Sequence, residues 1–433
     1  MEHNYSDRYR LSRQMLERAL KIIPLGSQTF SKSKTQYPVG VSPYFIKRGK
    51  GSHVWDVDGN EYIDFVNALA AITLGYNDPD VTGAVKTQLD EGTIFSLPHE
   101  LELKVAEKIV EMVPCAEMVR FGKNGSDVTA GAIRLARAYT KRDHVAVCGY
   151  HGWQDWYIGS TSRNLGVPQS TRDLTHVFTY NDMDSLNKIF LTYPAQVAAV
   201  IMEPMNTTEP KNGFLESVKE LTHKNGAIFI FDETITGFRF AKGGAQEYFG
   251  VIPDLATFGK GLANGYPVSA IAGRAEIMKL MEEIFFSFTF GGETLSLAAA
   301  FATMTKLQIE PVIKTLWSQG QKVTEGVKSL IEKHGLQDVL SISGKDCWSF
   351  LMFKDTASRS QWELKTLFLQ EVFSRGILTL GSHNMSYAHS DGDIERLLQT
   401  YNEVFALIKE VLVKGNLKAW LKTNSLVPLF KIR

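Results

Sequence analysis

The sequence predicts an α/β protein whose large domain is built on a mostly parallel sheet of seven strands. Short apolar segments recur between residues 70 and 310, and segments with helical periodicity, such as Leu101–Met112 and Val128–Tyr139, separate many of them. Apolar strands that alternate with helices are typical of a parallel sheet covered on both faces. The seven predicted strands are Met118–Phe121, Val145–Val147, His176–Phe178, Val197–Met202, Ala227–Phe231, Leu255–Phe258 and Ala270–Ala272.

The two ends of the chain predict a second, smaller domain. Residues 11–23 have the apolar spacing of an amphipathic helix, which ends at Pro24. Three extended segments separated by turn residues predict a small antiparallel sheet, at Tyr44–Lys47, His53–Asp56 and Tyr62–Phe65. After residue 310, helices are predicted at 320–334, 364–375 and 393–414, around strands near 348–353 and 377–380. We therefore expect residues 1–65 and 311–433 to form one small α+β domain, and residues 66–310 to form the large domain.

Composition and charge argue against several classes of partner and site. Lys plus Arg and Asp plus Glu both number 47, so neither a nucleic acid nor a membrane surface is expected as a partner. Cys115, Cys148 and Cys347 form no C-x-x-C pair, which argues against a disulfide framework or a zinc site and favours a reducing compartment. The polar N-terminus shows no secretory signal, and every apolar run is shorter than the roughly 20 residues of a membrane span. These features predict a cytoplasmic protein without a metal site.

Residues 229–265 contain the densest signal for chemistry. Asp232 follows the predicted strand Ala227–Phe231, and Lys260 follows the predicted strand Leu255–Phe258, 28 residues further along the chain. In open α/β sheets, ligands bind at the carboxyl ends of the strands. We therefore expect the acid and the lysine to face one crevice.

An acid and a lysine in one crevice are what chemistry with pyridoxal 5'-phosphate (PLP) requires. The lysine forms an imine with the cofactor and moves protons beside the substrate nitrogen, while the carboxylate keeps the pyridine nitrogen protonated. Taken singly, an acid such as Asp232 at a strand end is more often a cap or loop residue. A lysine between two glycines, such as Lys260, is more often a plain turn residue. Their joint placement after two strands favours PLP. The rival reading of GKGLANG as a dinucleotide loop is weaker, because its glycines are one residue off that fingerprint.

Other candidate residues follow predicted strands or precede predicted helices. Gly125 and Ser126 offer N–H groups to a phosphate at a helix start, or else belong to an ordinary N-cap. Tyr150 is placed either to stack on a flat ring or to pack on the core. Glu203 adds a second acid at the same edge of the sheet, and Thr289 either binds phosphate or caps the next helix.

These residues and the segments around them identify a family. The chain resembles the class III (fold type I) PLP-dependent aminotransferases, most closely their glutamate-1-semialdehyde 2,1-aminomutase branch. The likeness covers about residues 20 to 410, and its motifs follow the same order along the chain. They are WDVDGNEYIDF (55–65), LELKVAEKIVEMVP (101–114), IRLARAYTKRD (133–143), YHG (150–152), MEP (202–204), FDETITGFR (231–239), GGAQEYFGVIPDLATFGK (243–260) and AHSDGDIERLL (388–398). The resemblance implies the PLP-transferase fold of type I, with a seven-stranded sheet domain and a small domain built from both termini.

The resemblance also implies roles for the residues that would hold the cofactor. Lys260 is similar to the imine lysine, and Asp232 to the partner of the pyridine nitrogen. Tyr150 is similar to the aromatic residue that stacks on the ring. Gly125 and Ser126 are similar to the phosphate-binding turn.

Two more roles are implied by the same resemblance. Glu203 is similar to an acid that lies near the active lysine or the substrate. Thr289 is similar to a residue that reaches the PLP phosphate of the neighbouring subunit. A homodimer with shared active sites is therefore expected.

The chain departs from the aminomutases where those enzymes bind substrate. The N-terminal arginine that binds the substrate carboxylate in aminomutases is absent from the corresponding stretch, GSQTFSKSK. The C-terminal stretch LGSHNMSYAHS lacks their acidic residue, and the Arg-Pro pair of many class III transaminases is absent as well. The resemblance therefore implies a conserved cofactor site and a changed substrate site. The expected substrate contacts are Gln28, Lys32, Lys34, His151, Ser382 and His389.

The expected function is amino-group transfer between a small-molecule donor and a carbonyl acceptor. Because the substrate segments differ, we expect a polar aldehyde or ketone as acceptor, for instance an amino-sugar precursor. An aminomutase, which moves the amino group within one molecule, is the alternative enzyme. A non-catalytic binding protein of the same fold is the alternative of another class, although it would be expected to lack Lys260 or Asp232.

Overall fold

A computed structural model describes residues 8–356 and 359–428, which form two compact units. The terminal unit contains the described residues up to Asp78 and those from Lys314 onward, and the central unit contains residues 79–313. The first boundary was predicted after residue 65, but residues 66–78 belong to the terminal unit. Tyr76 and Gly51 exchange two backbone hydrogen bonds of 2.7 and 2.8 Å there, which ties this segment to the terminal unit.

The N-terminal part of the terminal unit contains one long helix, three strands and several short turns. Its elements are α1 (Arg10–Ala19), 3₁₀ turns at Pro24–Gly26 and Phe30–Lys32, β1 (Ile46–Lys50), β2 (His53–Asp56), β3 (Glu61–Asp64) and the short turn α2 (Asn67–Ala70). Helix α1 presents Leu16 and Ala19 to the interior at the spacing that the sequence predicts. The helix ends at Ala19, four residues before the predicted end at residue 23, and hydrogen-bonded turns connect it to Pro24.

The central unit alternates strands with helices. Its strands are β4 (Met118–Gly122), β5 (His144–Cys148), β6 (Thr175–Val177), β7 (Val197–Met202), β8 (Ile228–Asp232), β9 (Leu255–Phe258) and β10 (Ser269–Gly273). Its helices are α3 (Pro79–Glu91), α4 (Glu100–Met112), α5 (Gly125–Thr140), α6 (Asp155–Ile158), α7 (Gln169–Arg172), α8 (Met183–Thr192), α9 (Phe214–Lys224), α10 (Ala245–Phe249), α11 (Ala275–Met278) and α12 (Thr294–Ile309), with 3₁₀ turns at Lys260–Ala263 and Lys279–Glu282.

Strands β4 to β10 form one seven-stranded sheet in the order β4-β10-β9-β8-β7-β5-β6. Every neighbouring pair is parallel except the two that involve β10, which runs antiparallel to both β4 and β9. All seven predicted strands are confirmed, with ends displaced by no more than one residue. The mostly parallel sheet places the carboxyl ends of β5, β7, β8 and β9 along one edge.

Side chains of this sheet pack into two apolar cores, one on each face. Val145 of β5 and Ile230 of β8 pack with Val128 of helix α5. Ala146 and Phe229 are the neighbours of these residues on the same strands, so their side chains point to the other face. There they pack with helices α8 and α9. Burial of each large apolar side chain contributes about 1.5–3 kcal/mol. Both faces are therefore apolar, which explains why the strands show no polar alternation in the sequence.

The C-terminal part of the chain completes the terminal unit. Its elements are α13 (Val312–Lys333), β11 (Leu340–Lys345), β12 (Trp348–Phe353), α14 (Gln361–Ser374), β13 (Ile377–Leu378), β14 (Ser382–Asn384), α15 (Asp391–Lys414) and a 3₁₀ turn at Leu417–Trp420. Strand β13 joins the N-terminal sheet by pairing in parallel with β3, and β11, β12 and β14 form a second, antiparallel sheet. The sequence did not predict β11, β14 or the pairing of β13 with β3.

The short turn α2 has a left-handed backbone at four consecutive residues without glycine. The φ angles from Asn67 to Ala70 lie between 45° and 67°. Buried polar groups hold this turn: Asp64 Oδ1 accepts from the N–H groups of residues 66 and 67 at 2.7 and 3.0 Å, and Asn384 Nδ2 donates to the residue 66 carbonyl at 2.6 Å. Asn67 Nδ2 in turn donates to the Asn384 carbonyl. The strained conformation is thus fixed from several sides.

Candidate active site

The carboxyl ends of strands β8 and β9 bring Asp232 and Lys260 to one edge of the central sheet. Asp232 is the last residue of β8 and lies in register with Thr257 of β9. Lys260 comes two residues after β9 and begins the 3₁₀ turn there. Because β8 and β9 are adjacent and parallel, the two residues lie at the same edge of the sheet, as predicted. The Asp232 charge opposes the lowering of the Lys260 pKa that burial causes.

The Asp232 carboxylate is buried and surrounded by hydrogen-bond donors. Its Oδ1 accepts from the Thr234 amide and hydroxyl at 3.1 and 2.6 Å and from the Thr257 hydroxyl at 3.1 Å, and its Oδ2 lies 2.9 Å from His151 Nδ1. Burial alone would raise the pKa of Asp232, but the His151 and Thr234 bonds bring it below its usual value. The group is therefore held as a carboxylate, as a partner for a protonated pyridine nitrogen must be.

Lys260 combines a strained backbone with an amine that has no hydrogen-bond partner. Its φ is 41°, in the left-handed region that non-glycine residues rarely adopt. Within the described part of the chain, Nζ makes no hydrogen bond or ion pair. Burial lowers the pKa of Lys260, and Arg239 acts in the same direction, while Asp232 and Glu203 oppose this shift. A lowered pKa increases the fraction of neutral amine, which is the form that attacks a carbonyl carbon.

His151 lies behind Asp232 and is only 1% exposed. Its Nε2 is 3.1 Å from the Cys148 carbonyl, which is an acceptor. Its Nδ1 faces the Asp232 carboxylate. The sequence placed His151 among the substrate contacts, but both ring nitrogens are engaged inside the protein. In the structure this ring contacts Asp232, and its role as a substrate contact stays a prediction.

The start of helix α5 has the features of a phosphate site. Asn124 caps the helix through the Asp127 amide, and the amides of Gly125 and Ser126 have no acceptor among the described residues. Ser126 Oγ accepts from the Trp153 amide at 3.2 Å, which leaves its hydroxyl hydrogen free to donate. A Cβ on Gly152 would collide with Ser126. Free N–H groups at the positive end of a helix favour binding of an anion.

Tyr150 and Glu203 follow strands β5 and β7 at the same edge. Tyr150 is 47% exposed, and its ring contacts Tyr157 edge-on with ring centroids 5.7 Å apart. The Glu203 carboxylate is buried and accepts from the Tyr150 amide. Glu203 therefore contacts the backbone of the tyrosine, and its charge also acts on Lys260.

Thr289 lies in an exposed turn before helix α12. The cap of that helix is Glu293, whose carboxylate accepts from the amides of Leu295 and Ser296. Of the two readings that the sequence left open for Thr289, capping is therefore not the one observed. The exposed hydroxyl stays available to a ligand.

Gln28 and Lys32 line a cavity of about 450 Å³ inside the terminal unit. Its walls are mainly apolar and aromatic, with contributions from Tyr37, Tyr44, Phe45, Ile46, Ala68, Leu69 and Leu378. Lys34 is partly buried nearby in sequence and does not line the cavity. These predicted substrate contacts therefore divide into two that face a cavity and one that does not.

Ser382 and His389 also lie in the terminal unit. Ser382 pairs with Phe350 in the antiparallel sheet, and its side chain is partly exposed. His389 is buried, stacks on Phe65 with ring centroids 4.5 Å apart, and lies 3.0 Å from the Ser386 amide and hydroxyl through Nδ1. Burial lowers the pKa of His389 to about 4. His389 thus has partners inside the terminal unit, and its role as a substrate contact stays a prediction.

Sequence reasoning missed the two threonines that hold Asp232. Thr257 is the only polar residue of the apolar segment Leu255–Phe258, and it pairs with Asp232 across the sheet. A lone hydroxyl within an apolar strand, level with a strand-end acid, is the signal that could have identified it. Thr234 could have been identified from its position two residues after Asp232, where its amide and hydroxyl reach back to the carboxylate.

Residues 8–356 and 359–428 contain neither a candidate membrane-spanning helix nor a candidate metal site. None of their helices has both the length and the apolar character needed to cross a membrane. None of their His, Cys, Asp and Glu side chains gather in threes or more as a metal site would need.

Comparisons with known proteins show the family to which this chain belongs. The family described as "Aminotransferase class-III" matches residues 36–389. The 3-aminobutyryl-CoA aminotransferase of Cloacimonas acidaminovorans is 34% identical over 94% of this chain and 100% of its own length. Glutamate-1-semialdehyde 2,1-aminomutase 2 of Geobacillus kaustophilus is 35% identical over 93% of this chain and 99% of its own length.

A solved structure extends the likeness to the whole fold. The FumI protein of Sphingopyxis sp. MTA144, in its PLP internal aldimine form, is similar to this chain with a TM-score of 0.87 and 28% identity. The match covers 95% of this chain and 99% of that protein. It includes the mixed α/β architecture with the seven-stranded sheet described above.

Proposed function

Because the chain belongs to the class III aminotransferase family and so is a PLP-dependent enzyme, we propose that Lys260 binds the cofactor covalently while Asp232 binds its pyridine nitrogen. The observation that carries this proposal is the pair itself. A carboxylate kept ionised by four hydrogen bonds and an amine without a partner follow adjacent parallel strands. The unpaired amides of Gly125 and Ser126 fit the phosphate group of PLP.

Each residue of the site has a distinct task in this proposal. PLP, when bound, supplies an electron sink that stabilises negative charge beside the transferred nitrogen. Asp232 holds a proton on the pyridine nitrogen, and His151 keeps Asp232 ionised and oriented. The Tyr150 ring lies against the cofactor ring, and the Lys260 amine carries protons to and from the substrate carbon.

The proposed reaction moves an amino group from a donor to a carbonyl acceptor. We propose a polar aldehyde or ketone as acceptor, with amino-sugar precursors as one group within this class. The name of the relative 3-aminobutyryl-CoA aminotransferase adds a second group, acyl derivatives with the amino group on the third carbon. Gln28, Lys32 and Lys34 are proposed as the substrate contacts of the N-terminal segment, since a lysine offers a point charge to an anionic substrate.

Rearrangement within one molecule, as in an aminomutase, is the second candidate function. Relatives named glutamate-1-semialdehyde 2,1-aminomutase are 34–35% identical to this chain, which is as similar as the aminotransferase relative. The missing N-terminal arginine in GSQTFSKSK argues against the aminomutase substrate. The two functions differ in what happens when a donor is supplied alone.

The first experiment tests Lys260 and the type of reaction together. Borohydride reduction followed by peptide mass mapping is expected to place a phosphopyridoxyl group on Lys260. Incubation with amino donors and no acceptor is expected to release one equivalent of oxo product per site. Lys260→Ala should abolish both results and remain folded, because the amine makes no hydrogen bond or ion pair among the described residues.

The control is Lys224→Ala, which removes an exposed lysine at the end of helix α9. This variant should retain both the label and the oxo product. A label on another lysine would refute the role of Lys260. Absence of oxo product with every donor, despite a label on Lys260, would favour the aminomutase.

Assembly and location complete the proposal. We propose a homodimer with shared active sites, in which the exposed Thr289 reaches the phosphate bound by the other subunit. We also propose a cytoplasmic location. The free, buried state of Cys115, Cys148 and Cys347 supports a reducing compartment.

A further inference from the structure

The Glu203 carboxylate lies beneath the turn that carries Tyr150. Glu203 directly follows strand β7, and its amide donates to the Cys148 carbonyl at 3.2 Å, which continues the pairing of β7 with β5 by one residue. Its side chain is 7% exposed. Oε2 accepts from the Tyr150 amide at 3.0 Å, and Asn206 Nδ2 lies 3.1 and 3.2 Å from the two carboxylate oxygens.

The turn between Cys148 and Tyr150 is closed tightly over this carboxylate. Gly149 has a φ of 104°, and a Cβ at this position would collide with Glu203 Oε2. The Tyr157 hydroxyl donates to the Gly149 carbonyl at 2.8 Å from another side. These contacts therefore set the direction in which Tyr150 leaves the turn. Among them, the Glu203 carboxylate is the one that accepts the hydrogen bond from the Tyr150 amide.

The surroundings of Glu203 raise its pKa, whereas those of Asp232 lower its pKa. Burial raises the pKa of Glu203, and the Asp232 charge raises it further, whereas hydrogen bonds keep the pKa of Asp232 low. The hydrogen bonds of Glu203, to the Tyr150 amide and to Asn206, need an acceptor oxygen and do not need a negative charge. A glutamine can provide that acceptor.

We propose that Glu203 is a positioning residue, which holds the Tyr150 backbone so that the ring lies against the cofactor, and that it exchanges no proton with substrate. This inference rests on the stacking role proposed for Tyr150. Loss of an oriented aromatic contact weakens binding by roughly threefold to tenfold. Removing the Glu203 side chain is expected to lower PLP affinity by this factor and to lower kcat, with a smaller effect on KM.

Three variants of the holoenzyme test the proposal. Glu203→Ala removes the acceptor, Glu203→Gln retains it without the charge, and Tyr150→Ala removes the ring. PLP affinity is measured by titration of the apoenzyme, and kcat is measured as a function of pH. We expect Glu203→Gln to retain PLP affinity and the shape of the pH profile, while Glu203→Ala loses PLP affinity. The loss should be absent in the Tyr150→Ala background, because the effect of Glu203 passes through the ring.

Opposite results would overturn the inference. If Glu203→Gln lost as much activity as Glu203→Ala and one limb of the pH profile disappeared, Glu203 would be a proton-transfer group. If the losses from Glu203→Ala and Tyr150→Ala were additive in the double variant, Glu203 would act independently of the ring. If Glu203→Ala folds poorly, the first outcome can still be read by comparing the activity and pH profile of Glu203→Gln with those of the parent enzyme.

A matched control separates positioning from general loss of stability. Glu247→Ala removes another carboxylate that accepts a backbone amide, that of Gly243, in the segment before helix α10. It should change the unfolding midpoint without changing PLP affinity. Borohydride labelling of Lys260 in the unmodified enzyme keeps the two proposals apart, since a missing label would count against the proposed function and not against the tie between Glu203 and Tyr150.

Discussion

At the scale of single residues, burial has different outcomes for the two central charges. For Asp232, burial opposes the charge, but His151 and Thr234 outweigh it and the pKa falls. For Lys260, burial also opposes the charge and is the largest cause, so the pKa of the amine falls as well. The lowered pKa of Asp232 favours its carboxylate form, and the lowered pKa of Lys260 favours its neutral amine form. Asp232 then suits a protonated ring nitrogen, while Lys260 suits attack on a carbonyl.

The buried His383 is expected to make the stability of the terminal unit depend on pH. His383 lies between the Ser349 and Tyr401 hydroxyls at 3.0 and 2.9 Å, and burial lowers its pKa to about 3. Because the unfolded chain binds this proton more readily, the free energy of unfolding should fall as the pH is lowered from about 6.5 toward 3. One such group contributes at most about 1.4 kcal/mol per pH unit. His383→Gln should make this fall less steep.

Urea unfolding of the holoenzyme at pH 7, 6 and 5 measures the effect. His334→Gln, which replaces a partly exposed histidine bonded to Asn402, is the matched variant and should retain the slope of the parent protein. An unchanged slope in His383→Gln would show that this imidazole does not resist protonation in the folded state.

Single residues of the site were predictable to different degrees. Asp232 and Lys260 could be placed because each follows an apolar strand, and parallel strands bring their ends to one edge. His151 could not, since its role depends on the direction of a side chain in a loop. The sequence shows that it lies near a strand end, but not that its ring turns inward to Asp232.

At the scale of elements, the left-handed turn α2 stores backbone strain. Each non-glycine residue in this conformation costs about 1 kcal/mol or more. Glycine would relieve that strain, although its greater freedom in the unfolded chain costs about 0.5–1 kcal/mol. We therefore expect Ala68→Gly, where φ is 50°, to leave the free energy of unfolding unchanged or to raise it by up to about 1 kcal/mol.

Chemical denaturation of Ala68→Gly and Ala130→Gly measures this difference. Both alanines are partly buried, but Ala130 lies in the right-handed helix α5. Ala130→Gly should lower the free energy of unfolding by about 1 kcal/mol. Equal losses from the two substitutions would show that the turn at Ala68 carries no strain that glycine relieves.

The elements that the sequence predicted well are those whose side chains are apolar and buried along their whole length. The seven central strands have apolar cores on both faces, and their composition shows it. Strand β11 escaped prediction because its side chains are mostly half-buried, so the segment Leu340–Lys345 has no clear apolar pattern. The turn α2 escaped prediction because Asn-Ala-Leu-Ala has no sequence mark of a left-handed backbone. Contacts distant in sequence, from Asn384 above all, impose that conformation.

At the scale of the whole molecule, the proposed shared active site can be tested by mixing subunits. Lys260→Ala and Thr289→Ala are expected to impair activity separately. A mixed dimer with one substitution in each subunit should regain about half of the parent activity, because one site then has both intact residues. Co-expression with two different affinity tags isolates this dimer for assay.

The reciprocal dimer gives the opposite expectation. When one subunit carries both substitutions and the other carries neither, both sites lose one residue if the sites are shared. Its activity should then be low. If this dimer retained half of the parent activity and the first did not, each subunit would contain a complete site of its own.

The division of the whole chain was predictable in outline. Both termini contribute to one unit, as the pattern of elements suggested. The position of the first boundary was not predictable. Residues 66–78 belong to the terminal unit because the backbones of Tyr76 and Gly51 form two hydrogen bonds with each other. Pairings of this kind follow from the folded chain and leave no local pattern in composition.

The parallel pairing of β13 with β3 has a consequence for the newly made protein. Ile377 and Leu378 are added to the growing chain more than 300 residues after Ile63 and Asp64, with which they pair. At the rate of ribosomal synthesis, roughly 15 to 60 s separate the two events. Throughout that time β3 has a vacant hydrogen-bonding edge, so chaperones have a defined interval in which to protect the nascent chain from aggregation.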